Sequence, residues 1–97
     1  MAADGPLEAH LKHFLAKREP PKTFCPSEVA RALTTSELHE LGFETWREAM
    51  PAVRELAWRW RDQDERVEVL QKGVVLGADV GEGEVVGPIR LRRKAED

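Results

Sequence analysis

The stretch TWREAMPAVRELAWRWR, residues 45–61, concentrates three tryptophans, four arginines and one proline within a chain of 97 residues. A rotation of about 100° per residue sorts these side chains and the next one into three faces of a helix. The apolar face comprises Trp46, Ala49, Met50, Val53, Leu56, Ala57 and Trp60. The other faces comprise Glu48, Glu55 and Asp62, and Arg47, Arg54, Trp58 and Arg61. The stretch therefore predicts a long amphipathic helix with a core side and a cationic edge that carries an exposed Trp58.

Short-range signals predict the ends of this helix. Thr45 and Glu48 have the spacing of a capping box, in which each side chain accepts from the other residue's backbone N–H, so the helix is expected to begin there. A polar turn over residues 62–65 predicts its end near Arg61. Pro51 removes one helical hydrogen bond, which predicts a kink or a fresh helix start.

Three helices are predicted before the long one. Apolar residues at helical spacing predict the first over residues 6–18. Pro26 fits the first turn of a second helix. Thr34 and Glu37 form another capping box, which predicts a short helix that ends at Gly42 in a left-handed conformation.

Beyond residue 66 the apolar period changes to two, which is typical of half-buried strands. Val67 and Val69 mark one strand, and Ile89 and Leu91 mark another. The glycine-rich segment 73–87 between them predicts either a long hairpin loop or a third, ragged strand.

This order of elements predicts an α+β, mostly α, chain with a single domain over residues 1–97. The expected fold is a winged helix-turn-helix with about three helices, a short extra turn and a C-terminal β-hairpin. The ordered core is expected over about residues 6–93, with flexible ends.

Composition argues against several classes of protein. The formal net charge of −3 argues against a general polyanion binder. No apolar run reaches the roughly 20 residues that span a bilayer, and the first residues lack the features of a secretory signal, so no membrane association is expected. The single cysteine, Cys25, cannot form an intrachain disulfide, which favours an intracellular location, cytoplasmic or nuclear.

Cationic residues in two segments predict a binding surface. The long helix offers Arg47, Arg54, Trp58 and Arg61, and the last strand offers Arg90, Arg92 and Arg93. A strand beside the helix edge would join them in one basic patch. Guanidinium groups bridge phosphates or read guanine edges, and an exposed indole stacks. The sequence thus predicts weak, salt-sensitive binding of DNA, or binding of an acidic protein partner.

The same residues also have a purely structural interpretation. Arg47 and Arg54 would then pair with nearby carboxylates such as Glu44, Glu48 or Glu55. Trp58 would pack beneath the hairpin. Arg90 would be a buried bridge to Glu28 or to Glu55. A protein-interaction module with no nucleic-acid or enzymatic activity is the alternative function. The hairpin tip, residues 77–84, carries three acids and no base, so it would repel phosphate and is not an expected DNA contact.

Catalytic and metal chemistry are not expected. His10 and His13 lie three residues apart without a third ligand nearby, which favours solvated surface over a metal site. Cys25 precedes a helix start without a partner histidine, which favours a buried small residue. Since no pair of groups suited to acid–base or nucleophilic work stands out, we predict no enzyme, cofactor or metal.

Five blocks in this order resemble a known family: CPSEVAR (residues 25–31), WR (46–47), MPAVR (50–54), QKG (71–73) and GPIRLRR (87–93). The family comprises short proteins with a domain of unknown function that is regarded as winged-helix-like. The resemblance covers about residues 7–93 and implies that fold without implying an activity. The matching polar residues are Ser27, Glu28, Arg31, Arg47, Arg54, Gln71, Lys72 and Arg90. The chain departs from the family pattern in a longer insert over residues 33–45 and in the acidic loop 79–84.

Overall fold

A computed structural model of the chain describes residues 5–19, 22–63, 67–77 and 79–94. The helices are α1 (Gly5–Lys17), α2 (Pro26–Ala32), α3 (Thr35–Leu41) and α4 (Trp46–Asp62). The strands are β1 (Val67–Gln71), β2 (Val74–Val75) and β3 (Arg90–Arg93), with a 3₁₀ turn at Glu82–Glu84. The predicted α+β, mostly helical class is confirmed, and the glycine-rich segment contains a third strand. The expectation of flexible chain ends concerns residues 1–4 and 95–97, which lie outside the described residues.

The short helix α3 has the ends that its sequence predicts. Glu37 N donates to Thr34 Oγ1 at 3.1 Å, and Thr34 N donates to Glu37 Oε1 at 2.9 Å, which completes the capping box. Gly42 ends the helix with a φ of 86°, a left-handed conformation that glycine adopts without a steric penalty. The insert over residues 33–45 therefore holds a regular helix between α2 and α4.

The start of α4 differs from its prediction. Thr45 is the capping residue, but its side chain makes no capping hydrogen bond, and the Glu48 carboxylate accepts from Glu44 N at 3.5 Å instead. The capping box predicted there is wrong, because residue spacing does not determine which backbone N–H a glutamate reaches. α4 continues as one helix past Pro51, so the fresh helix start is wrong too.

The three strands form one antiparallel sheet in the order β2–β1–β3. The turn Lys72–Gly73 joins β1 to β2, and both residues have positive φ angles, 52° and 79°. These angles are typical of a type I′ hairpin turn. Before α2, Phe24 forms an isolated bridge with Leu91, with N–O distances of 2.8 and 2.7 Å. The segment that leads into α2 is thereby attached to β3.

The buried side of α4 packs on α2 and β1 around one continuous apolar cluster. Ala49, Val53 and Trp60 are buried, as the helical period predicts. Two tryptophans depart from the prediction. Trp58, assigned to the cationic edge, is only 4% exposed, whereas Trp46, assigned to the apolar face, is half-buried.

Candidate nucleic-acid interface

Trp58 lies beneath the segment that connects β2 with β3. We call residues 79–87 of this segment the cover loop. The indole Nε1–H of Trp58 donates to Val80 O at 3.0 Å. A carbonyl that faces the interior needs a donor, because an unpaired buried carbonyl destabilises the fold. The indole supplies that donor, so Trp58 holds the loop and does not form an open stacking surface.

Arg54 and Arg61 flank the Trp58 ring and bond to the same segment of chain. Arg54 donates to Gly87 O at 3.1 Å and to a second cover-loop carbonyl at 3.4 Å. Arg61 donates to Gly77 O at 3.2 Å. Their guanidinium carbons lie 6.0 and 5.5 Å from the Trp58 ring centroid, close enough for a cation–π interaction. Arg54 and Trp58 thus fasten the cover loop to α4, and Arg61 fastens the chain just before that loop, at Gly77.

These contacts correct the expectation of an exposed Trp58 and confirm the alternative in which it packs beneath the hairpin. The carboxylate partners expected for Arg47 and Arg54 are not found among the described residues, whereas Arg61 pairs with Asp62 at 2.9 Å. For Arg54 the cover loop causes the difference, because its carbonyls offer acceptors that the helix sequence does not reveal.

The arginines of β3 have separate partners. Arg90 is exposed, and its Nε and Nη2 donate to Thr23 Oγ1 and Thr23 O at 3.0 and 3.2 Å. Arg92 pairs with Glu68, its neighbour across the sheet, at 2.7 Å. Arg93 is half-buried. The buried bridge expected for Arg90 is wrong. Among the described residues, Arg54 and Arg61 share no hydrogen-bond partner with Arg90 or Arg92.

At the start of α4, Arg47 of the predicted cationic edge meets Arg31, which the helical period did not single out. Arg31, at the end of α2, and Arg47 both lie over the Trp46 ring, with guanidinium carbons 4.6 and 4.8 Å from its centroid. Both arginines are exposed, and no ion pair joins either one to a carboxylate of the described residues. We call Arg31, Trp46 and Arg47 the stacked cluster. Arg31 comes from α2, whereas Trp46 and Arg47 come from α4. The helical period of α4 alone therefore could not predict that Arg31 belongs to the cluster.

The backbone adds positive potential beside this cluster. The first N–H groups of any helix lack helical acceptors, and the aligned peptide dipoles leave partial positive charge at that end. At α4 the Thr45 side chain does not cap these groups. The exposed carboxylates of Glu44 and Glu48 lie in the same region and oppose the positive charge. The arrangement can accept a phosphate oxygen, with modest net electrostatic attraction.

Glu28 connects the start of α2 to Arg18, which directly follows α1. It also binds the backbone of Cys25, next to the Phe24 that bridges to β3. Its Oε2 accepts from Cys25 N at 2.8 Å, and its Oε1 accepts from Arg18 at 2.6 Å. Arg18 also donates to Thr23 O at 3.3 Å. Burial raises the pKa of Glu28, but the hydrogen bonds from Cys25 and Arg18 and the nearby Arg90 charge outweigh it, so this pKa lies below its ordinary value.

Glu28→Ala is therefore expected to lower the free energy of unfolding at neutral pH by about 1–2 kcal/mol. A lowered folded-state pKa stabilises the fold fully above the unfolded value of 4.5, and this contribution is lost as the pH falls through the folded pKa. The difference in the free energy of unfolding between wild type and Glu28→Ala should therefore become smaller in acid. Urea unfolding at neutral pH and near pH 3 measures it, with the exposed Glu40→Ala as control. A difference that does not change with pH would contradict the role of the Glu28 charge.

His10 and His13 border an open cavity of about 480 Å³ between α1 and α3. His10 Nε2 lies 2.9 Å from Glu37 Oε1, so the pair connects the two helices. Within residues 5–19, 22–63, 67–77 and 79–94, no three histidine, cysteine, aspartate or glutamate side chains are placed to hold a metal ion. None of the helices in this part of the chain has the length and apolarity needed to cross a bilayer.

Comparison with known proteins identifies the family. Residues 4–94 match the family described as "Protein of unknown function (DUF3253)". Curated proteins give no match. The matched range agrees with the resemblance that the five sequence blocks carry over about residues 7–93. The chain therefore belongs to the DUF3253 family of proteins of unknown function.

Proposed function

We propose that the protein binds duplex DNA through the stacked cluster at the start of α4, and that its fold is a winged-helix variant. The order of the helices, the bridge from Phe24 to Leu91 and the terminal sheet support the fold proposal. α4 packs most extensively on α2, so it takes the place of a recognition helix. The helix α3, inserted between them, lengthens the turn of the helix-turn-helix.

The observation that carries this proposal is the stacking of two exposed arginines on one half-buried tryptophan. Stacking on an aromatic face orients a guanidinium group while its N–H donors, which lie in the guanidinium plane, stay free to bond outward. Such pre-oriented donors match the oxygens of a phosphate or the edge of a guanine. Arg31 and Arg47 therefore have both the chemistry and the exposure that DNA binding requires.

The position of the cluster on α4 also supports DNA binding. In helix-turn-helix proteins, the N-terminal residues of the recognition helix contact the bases. The cover loop lies against the second half of α4 and carries Asp79, Glu82 and Glu84. Like charges would repel a phosphate backbone there. DNA would thus approach the first half of α4, which is where the stacked cluster lies.

The other candidate residues already have partners within the protein. Arg54 and Trp58 support the cover loop, Arg61 bonds to Gly77 O, and Arg92 is paired with Glu68. Few phosphate contacts remain, and the chain is acidic overall. We therefore propose weak, largely sequence-independent binding. An acidic partner protein would use the same cluster, because Trp58 is buried and offers no docking surface.

A titration with a fluorescein-labelled duplex of about 20 base pairs, followed by anisotropy, tests the proposal. With two or three phosphates neutralised, the logarithm of the binding constant should fall with the logarithm of salt concentration with a slope of about −2 to −3. The absence of binding at low salt would contradict DNA as the ligand. Capture of an acidic protein by a chain that does not bind DNA would support the interaction module instead.

A further inference from the structure

A cavity of about 360 Å³ opens at the β1–β2 turn, apart from the residues of the stacked cluster. Gln71 and Lys72 line it from the turn, and Val86, Pro88, Ile89 and Arg90 line it from the chain that enters β3. Cys25, before α2, also borders it. Sites for small molecules commonly have volumes of about 300–1,000 Å³, so this one suits a ligand of modest size.

One wall of the cavity is apolar and held in place. Ile89 is buried, whereas Val86 is 88% exposed. The Gln71 side-chain amide donates to Val86 O at 2.8 Å, which fixes the backbone that carries this valine. Pro88 adds a rigid ring between them. An apolar group that lies on this wall would remove the Val86 side chain from water, which is favourable.

In contrast to the apolar wall, the cavity lining is cationic at Lys72 and Arg90. Both are exposed, and none of the acidic residues in the described part of the chain lines the cavity. Arg90 uses Nε and Nη2 to bind Thr23, which orients the guanidinium group. Glu28 lies close enough to Arg90 to interact with its charge. Since Arg18 already pairs with Glu28, the charges of Lys72 and Arg90 remain to attract an anion.

Lys72 occupies its position against a local conformational preference. Its φ of 52° is left-handed, and the first position of such a turn favours Gly, Asn or Asp. Glycine lacks the Cβ that crowds the backbone there, and the short side chains of Asn and Asp can form a local hydrogen bond. The turn would be more stable with asparagine. A lysine at this position places a cationic residue in the lining of the cavity.

We propose that this cavity binds a small organic carboxylate with an apolar body. The apolar body lies on Val86, Pro88 and Ile89, and the carboxylate lies between the side chains of Lys72 and Arg90. Neither part of the site is sufficient alone: the wall selects for an apolar body, and the two cations select for one negative charge. The site is independent of DNA binding by the stacked cluster.

Hexanoate serves as the probe, with acetate and 1-hexanol as ligands that each lack one of the two features. In two-dimensional ¹H–¹⁵N spectra, hexanoate should shift the amide signals of Gln71, Lys72, Val86 and Ile89 saturably. Acetate and 1-hexanol should bind at least about threefold more weakly, because each loses either the apolar or the ionic contact. No saturable shift with hexanoate, or equal binding of all three ligands, would overturn the proposal.

Two variants at exposed positions separate binding from folding. Lys72→Asn should raise the thermal midpoint by about 2–5 °C through the turn preference, yet weaken hexanoate binding about three- to fivefold. Val86→Ser should weaken it by a similar factor without a loss of stability, since the side chain is exposed. Wild-type affinity in both variants would overturn the site, whatever their stability.

Discussion

Replacing Trp58 with alanine is expected to lower the free energy of unfolding by about 3–5 kcal/mol, the range for truncating a large buried aromatic side chain. The ring is 4% exposed, and its indole N–H donates to Val80 O. Its loss would leave that carbonyl unpaired and would remove the surface between Arg54 and Arg61. Urea unfolding followed by circular dichroism measures the change.

Trp58→Phe is the matched control for the hydrogen bond. It retains an aromatic ring for packing and for the two guanidinium groups but lacks the indole N–H. We expect it to recover most of the stability lost in Trp58→Ala and to remain less stable than wild type, by about 1 kcal/mol for the hydrogen bond alone. If Trp58→Ala unfolded within about 1 kcal/mol of wild type, the ring would not hold the cover loop.

Sequence patterns predicted the elements whose signals lie within a few residues. The Thr34–Glu37 capping box and Gly42 bound α3 because both ends depend on local backbone hydrogen bonds and one φ angle. The alternation at Val67 and Val69 likewise predicted β1, since one face of that strand is buried. Local chemistry determined these features, so local reasoning was enough.

The candidate site was harder to predict because its contacts join distant segments. A helical projection considers only one helix, and the cover loop that buries Trp58 lies about 20 residues farther along the chain. The same limit hid the stacked cluster, since Arg31 reaches Trp46 from α2. Charge alone also did not reveal the partner of Arg92, because its cross-strand neighbour Glu68 follows from the register of β1 and β3.

The double substitution Arg31→Ala and Arg47→Ala is expected to weaken DNA binding about 10- to 50-fold at low salt, because it removes both proposed phosphate contacts. The salt dependence should also weaken, with the slope reduced in magnitude by about 2. Anisotropy titrations at several salt concentrations measure both quantities. Both side chains are exposed, so the fold should survive the change.

Lys12→Ala with Lys17→Ala is the matched control. It changes the net charge by the same amount on exposed positions of α1. Since no DNA contact is proposed there, it should weaken binding by about twofold or less and leave the slope nearly unchanged. Equal losses in the two double variants would show that net charge, and not the stacked cluster, governs binding.

The central claim is that α4 divides into a half that holds the cover loop and a half that binds DNA. The three indole N–H signals in an NMR titration with duplex DNA test it directly. We predict that the Trp46 signal shifts with added DNA, whereas the Trp58 signal, protected by its bond to Val80 O, does not move. A shift of the Trp58 signal with Trp46 unchanged would contradict the claim.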